Sequence, residues 1–413
     1  MGADGASGEG TGIGSARVVR RLGTVPGFDG VRGVAVLLVI AYHFRHLLSP
    51  WTTHYVRRVA FTRSNGVVHR VVRKVLVLRV HARPLGALFP KGGSLGVDVF
   101  FVLSGFLITA LLLREHAGTG RIRFRGFYRR RALRLLPALF LFVAAQLTYS
   151  TVTHANWAAE RGALLSIVFY VWNWRLYSTY PDVPRGIAHL WSLSVEEQFY
   201  IVWPLVVALF VVARRRVSTV VTVLAGAVAA VVVWRIVLAE HGNLVLVYFR
   251  TDVRADALLV GALTAYLWTR GLTPPKPVLV PAAWISLAFL AWCVVRYEST
   301  ARFLFDGGFT AVAVAVAVML LAIVEAGWLS RRLLVFGPLR AIGRVSYGLY
   351  LWHFFVFTVV AQKMPDASTA ARVATALGIT SAATVFSWFV VEQRFLRRKE
   401  RTRAVAAPAA APV

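Results

Sequence analysis

His43 ends the apolar run of FDGVRGVAVLLVIAYHF (Phe28 to Phe44), eleven residues after Arg32. An ionisable side chain in hydrocarbon costs about 2.5–3.5 kcal/mol on insertion scales, so it calls for a partner, a wet cavity or a function. The function an imidazole supplies most directly is that of a base. One nitrogen, hydrogen-bonded, fixes the tautomer, and the other takes the proton of a hydroxyl. Two carboxylates are candidates for the orienting role. Asp98 falls in the first turn or so of SLGVDVFFVLSGFLIT, and Glu197 follows Glu196 in HLWSLSVEEQFYIVWP. Consecutive helix residues stand about 100° apart, so one glutamate at most faces a cavity centrally. The reading adopted gives that place to Glu197 and sets Glu196 against a neighbouring helix. For each carboxylate, a structural pair tying helices together is the alternative.

A second group carries a different chemistry. FYRRRALRLLP (Phe127 to Pro137) sets Arg131 and Arg134 on one helix face, a spacing at which guanidinium forks clamp phosphate oxygens; headgroup contact is the alternative. Asp252, Arg254 and Asp256 in YFRTDVRADALLVGAL read as a local ion network. His353, in SYGLYLWHF, is expected about two turns from the arginine-rich face of the membrane, lining a tunnel or hydrogen-bonding within the bundle. Ser104, beside Gly105, is a packing residue or a covalent acyl carrier. The histidines have no metal-ligand spacing, so no metal is expected. The single cysteine, Cys293, excludes an intrachain disulfide.

These residues must be positioned by membrane helices. The 413-residue chain is 58% hydrophobic and 16% charged, with a mean hydropathy of +0.64, which excludes ordinary soluble classes. Ten spans of membrane length are expected, at about 30–49, 95–113, 135–153, 190–212, 217–238, 253–270, 278–296, 308–326, 346–363 and 371–391. The fold class is therefore an all-α integral membrane bundle of about ten transmembrane helices. Segment 114–134 holds eight arginines, 213–216 three, 330–344 four, and the tail after Glu392 six Lys or Arg. All four lie on one face of a ten-span chain, and the positive-inside bias makes that face cytoplasmic, with both termini there. The net charge of +29 is then topological, matched to a bilayer with anionic headgroups, and no motif supports nucleic acid as a partner.

Residues 1–27 read as a disordered cytosolic tail and 397–413 as a second tail around a domain at 28–396. The 51–94 insertion carries nine Lys or Arg and no acid. Within it VVHRVVRKVL (Val67 to Leu76) reads as a basic amphipathic helix on the outer surface. LLSIVFYVWNWRLYSTY (Leu164 to Tyr180) reads as a re-entrant or surface aromatic segment, since counting it as a span would reverse every later loop.

Taken in order, these motifs resemble the acyltransferase 3 family of membrane O-acyltransferases, which acylate hydroxyls of envelope polysaccharides, peptidoglycan and exported glycoconjugates. Arg32 and His43 are similar to its first-helix signature, GVDVFFVLSGFLIT with Ser104 to its second helix, and Arg131 with Arg134 to its paired arginines. HLWSLSVEEQFYIVWP and SYGLYLWH are similar to further blocks. VEQRF departs from it, with Arg394 where the family carries proline. The resemblance implies a ten-helix cell-membrane enzyme, acyl-coenzyme A (acetyl-coenzyme A) as cosubstrate, a carbohydrate-containing acceptor, and His43 as base. Arg32, Arg131, Arg134, Ser104 and His353 fall on the donor side. A transporter or flippase relaying protons through His43, Glu197 and His353 is the rival reading.

Overall fold

The computed structural model describes residues 25–48, 53–64, 67–78, 89–153, 157–180, 184, 186–213, 215–329 and 332–395. The two tails read from the sequence lie almost entirely outside these residues. Predominantly apolar runs form the long helices, with Pro137, Pro204 and Pro281 inside three of them: α1 (Pro26–Leu48), α2 (Gly96–Thr119), α3 (Phe124–Val152), then the short α4 (Trp157–Val168) and α5 (Trp172–Thr179). There follow α6 (Trp191–Val212), α7 (Val217–His241), the one-turn α8 (Leu244–Tyr248), α9 (Thr251–Thr269), α10 (Lys276–Arg296) and α11 (Phe309–Ala326). The chain continues through α12 (Gly337–Arg344), α13 (Ser346–Lys363) and α14 (Thr369–Phe386). Among the described residues eight helices are long and apolar enough to cross a membrane, and α12 with α13, bent by 73°, makes a ninth if the pair is one span. The remaining long helix, α9, carries Asp252, Arg254 and Asp256 and is buried along most of its length. Exposed Leu205, Leu209, Val233, Ile285 and Phe389 face outward, as a lipid-facing surface requires. The protein is a multi-pass all-α membrane bundle.

Close helix packing fixes the centre. A Cβ on Gly105 of α2 would strike the Leu258 carbonyl of α9, and one on Gly261 of α9 would strike the Val102 carbonyl of α2. Small residues facing each other in this way let backbones meet where lipid supplies no hydrophobic drive. Likewise Gly343 of α12 lies on the Asp29 carbonyl of α1. That contact tucks α12 against the start of α1, so α13 begins inside the bundle, with Ser346 already buried.

One expectation changes. Val67–Leu78 is not a helix but strand β2, paired antiparallel with β1 (Thr53–Ser64), with Ser64 opposite Val67. The reason is local: valine-rich, β-branched runs flank Asn65-Gly66, the dipeptide that suits a two-residue hairpin. The 164–180 segment, in keeping with the re-entrant or surface reading, does not cross as one helix. It breaks at Tyr170, whose φ is 55°, between α4 and α5.

Candidate active site

Two polar centres sit at different levels of the bundle, one on each half of α1. The first is at the arginine-rich end. A cavity of about 270 Å³ is lined by Arg32 of α1, Ser104 of α2, Arg131 and Arg134 of α3, Glu196 and Tyr200 of α6, and Tyr350 of α13, among others. Arg32 donates to Asp29 at 3.1 Å. The Arg131 guanidinium lies 4.6 Å from the Tyr200 ring centroid. Among the described residues no carboxylate comes within ion-pair distance of Arg131 or Arg134. Like charges this close in a low-dielectric wall are held there by packing, and an anion entering the cavity would relieve their repulsion.

The wall opposite is a hydrogen-bonded set. Ser104 and Tyr200 both donate to Glu196, and Tyr200 also reaches Ser104 at 2.8 Å. The glutamate that faces the cavity is thus Glu196. Glu197, expected there, is 8% exposed, lies outside the lining, and has a buried oxygen without a protein partner. The physical reason is the 100° step between consecutive helix residues: the Ser192–Glu196–Tyr200 stripe of α6 faces the cavity, and Glu197 turns away.

The second centre lies further along α1. His43 Nδ1 and His353 Nε2 are 3.0 Å apart. The other nitrogen of His353, Nδ1, meets only backbone carbonyls, those of Leu349 at 3.0 Å and Tyr350 at 2.8 Å. Carbonyls only accept, so His353 Nδ1 carries the proton, its Nε2 is an acceptor, and His43 Nδ1 donates to it. The lone pair of a neutral His43 is then on Nε2. A third imidazole, His189, stands in the 3-10 turn before α6, its ring 5.2 Å from His353 and 6.5 Å from His43 between centroids. His189 Nε2 donates to the Leu351 carbonyl at 3.2 Å. Among the described residues no group of three or more His, Cys, Asp or Glu is arranged to hold a metal ion.

Neither carboxylate proposed to orient His43 does so. Asp98 is spent on Arg254, at 2.7 Å, with both side chains 1% exposed. The 252–256 cluster is not a local network either, because each member pairs elsewhere. Arg254 takes Asp98, Asp256 takes Arg235 at 2.8 Å, and Asp252 takes Arg250 at 2.6 Å. Helical spacing points these three side chains toward α2, α7 and the α8–α9 turn. His353 is two turns into α13, as read from sequence. Because α13 starts inside the bundle, those two turns carry it to the level of His43 rather than leaving it near the arginine-rich face.

Tyr350 and Ser192 divide the two centres. Their hydroxyls are 2.5 Å apart, and Tyr350 donates to the His189 carbonyl at 2.7 Å. Both line the arginine cavity, and His189 and His353 lie behind them. Sequence reading singled out neither Tyr200, Tyr350 nor His189. Tyr350 and His353 are three apart, on one helix face, which was the available signal.

The bundle thus carries an arginine-lined cavity on one half of α1 and a paired imidazole on the other. The chain belongs to the Acyltransferase domain family, whose model matches residues 25–392. It is similar to the peptidoglycan O-acetyltransferase OatA of Listeria monocytogenes, 30% identical over 349 residues, covering 81% of this chain and 50% of that protein. It is similar at 30% identity over 352 residues to "Putative peptidoglycan O-acetyltransferase YrhL" of Bacillus subtilis, covering 81% of this chain and 49% of that one. The chain spans about half the length of these curated relatives. No solved structure matches it.

Proposed function

We propose that the protein is a cell-membrane O-acyltransferase that takes an acyl group, acetyl by analogy with the relatives' names, from acyl-coenzyme A and passes it to a hydroxyl of a sugar-containing acceptor. The positive-inside bias supports a cytoplasmic arginine-rich end, with both termini on that side. Arg32, Arg131 and Arg134 hold the donor's phosphates in the 270 Å³ cavity. His43 lies eleven residues along α1 from Arg32, about 16 Å by helical rise. This separation gives the pantetheine arm room to carry a thioester from one centre to the other.

The carrying observation is the His43–His353 hydrogen bond, which fixes His43 with its lone pair on Nε2. His43 Nε2 takes the acceptor's hydroxyl proton as the oxygen attacks the thioester carbonyl. The carbon–sulfur bond then breaks, and the departing thiolate recovers that proton from the imidazolium. His353 is a positioning residue: it holds the tautomer and the ring without touching the reacting atoms. Ser104, hydrogen-bonded to Glu196 and Tyr200, belongs to the donor cavity wall and has no part in the proton transfer.

Purified protein in lipid, given acetyl-coenzyme A, is expected to release coenzyme A thiol only when a glycan acceptor is present. His43→Ala lowers that turnover by about 10²–10⁴-fold, the range of a general base, with an unchanged melting temperature. Retained turnover removes His43 from the chemistry. Uptake of unmodified glycan without acyl-coenzyme A replaces the enzyme reading with a transporter.

A further inference from the structure

A second cavity, of about 470 Å³, opens at the arginine-rich end between α2, α6, α7 and α9. It is distinct from the donor cavity. Thr109 and Leu113 line it, whereas Leu107 and Leu111 line the other, and residues two apart on a helix point about 200° apart. Its interior is apolar and aromatic, built on Trp203, Val207, Phe210, Leu224 and Tyr266. His116, Arg215 and Arg270 stand among its lining residues, and no Asp or Glu does.

The polar groups inside are spent on the protein with one exception. Trp203 Nε1 donates to Thr109 Oγ1 at 2.7 Å, and Thr269 Oγ1 to the Tyr266 carbonyl at 2.8 Å. Tyr266 is 5% exposed, and its hydroxyl has no hydrogen-bond partner. A buried hydroxyl without an acceptor is destabilising, and an acceptor on a ligand relieves that. The Arg270 guanidinium stacks 5.2 Å above the Tyr266 ring, tying the charged rim to the apolar floor. Beside the cleft, Leu209 of α6 and Val223 of α7 are exposed on the outer surface, so the bilayer reaches its edge.

We propose that this cleft binds one anionic phospholipid, its phosphate at Arg215, Arg270 and His116, one acyl chain among the aromatic residues, and an ester carbonyl on the Tyr266 hydroxyl. Free phosphate would satisfy the rim and leave the interior unused, and a neutral lipid would fill the interior and leave the rim uncompensated. The ligand that uses both carries an anion and a hydrocarbon chain on one molecule. Binding here is separate from acyl transfer, since neither Arg215 nor Arg270 lines the donor cavity.

Native mass spectrometry of the full chain, released from detergent, tests it with phosphatidylglycerol, phosphatidylcholine of the same chains, inorganic phosphate and coenzyme A. Phosphatidylglycerol is expected to be retained over phosphatidylcholine. Retention falls at least roughly tenfold in Arg215→Gln/Arg270→Gln, since a single lost charge-assisted contact is already on that scale and two are removed. Both arginines are exposed, so the double variant keeps its melting temperature. Tyr266→Phe weakens retention of phosphatidylglycerol and of phosphatidylcholine alike, because both carry the ester. The proposal is overturned by equal retention of the two lipids, by unchanged phosphatidylglycerol retention in the double variant, or by its displacement with phosphate or coenzyme A.

Discussion

Arg235 and Arg254 share with Arg131 and Arg134 the burden of a guanidinium within a membrane-length helix, but they carry it differently. Arg235 is fully buried and met by Asp256, two carbonyls and Thr310, and Arg254 by Asp98 with its plane 3.7 Å from the Phe309 ring centroid. Arg131 and Arg134 are only partly buried and face a cavity; Arg131 lies over the Phe127 and Tyr200 rings, and among the described residues neither arginine has a carboxylate within ion-pair distance. A charge whose partner is built into the protein holds helices together. One whose partner must arrive from outside is a binding group. The cost of placing either in hydrocarbon is the same in kind, so what separates them is where the counter-charge comes from.

Breaking a built-in pair has the largest expected effect. Asp98→Ala leaves Arg254 buried and uncompensated, a loss of about 3–5 kcal/mol, read as a lower melting temperature in detergent. Asp98→Leu with Arg254→Met removes both charges and restores most of it. A single variant as stable as the parent would show that the pair holds nothing. The arginines of the cavity should behave in the opposite sense. Arg131→Gln and Arg134→Gln each remove charge-assisted contacts of about 1.5–3 kcal/mol, raising the KM for acyl donor roughly ten- to a hundredfold. Stability holds or improves, because like-charge repulsion is relieved. A fall in melting temperature with KM unmoved would place them with Arg254 instead. The histidine pair is the intermediate case. His353→Phe takes away the acceptor for His43 Nδ1, worth about 0.5–1.5 kcal/mol as a neutral hydrogen bond. The kcat should drop roughly two- to tenfold with donor KM unchanged, and an unaltered kcat denies His353 its positioning role.

Local spacing explains what could be read ahead of the structure. Hydropathy alone delimits most spans, and the three-residue step between Arg131 and Arg134 aims both into one cavity. Pairing across the bundle left no such trace. Asp98 and Arg254 are 156 residues apart, and His43 and His353 are 310 apart. No period in the sequence encodes which helices become neighbours. His353 was misplaced in depth because the α12–α13 bend moves the start of α13 inward, and hydropathy does not register a bend. Residues 67–78 were misread because a pattern of paired valines and basic residues satisfies a helical face, while the Asn65-Gly66 turn signal beside it favoured a hairpin.

The hydroxyl pair of Ser192 and Tyr350 has a consequence for the bilayer itself. The arginine cavity and the imidazole cluster meet at Tyr350, which is held by two hydrogen bonds, one with the Ser192 hydroxyl and one to the His189 carbonyl. Any reaction that moves an acyl group past that point must part the seal without short-circuiting the membrane potential. In the proposed reaction, Tyr350 is therefore the side chain that the acyl group must pass.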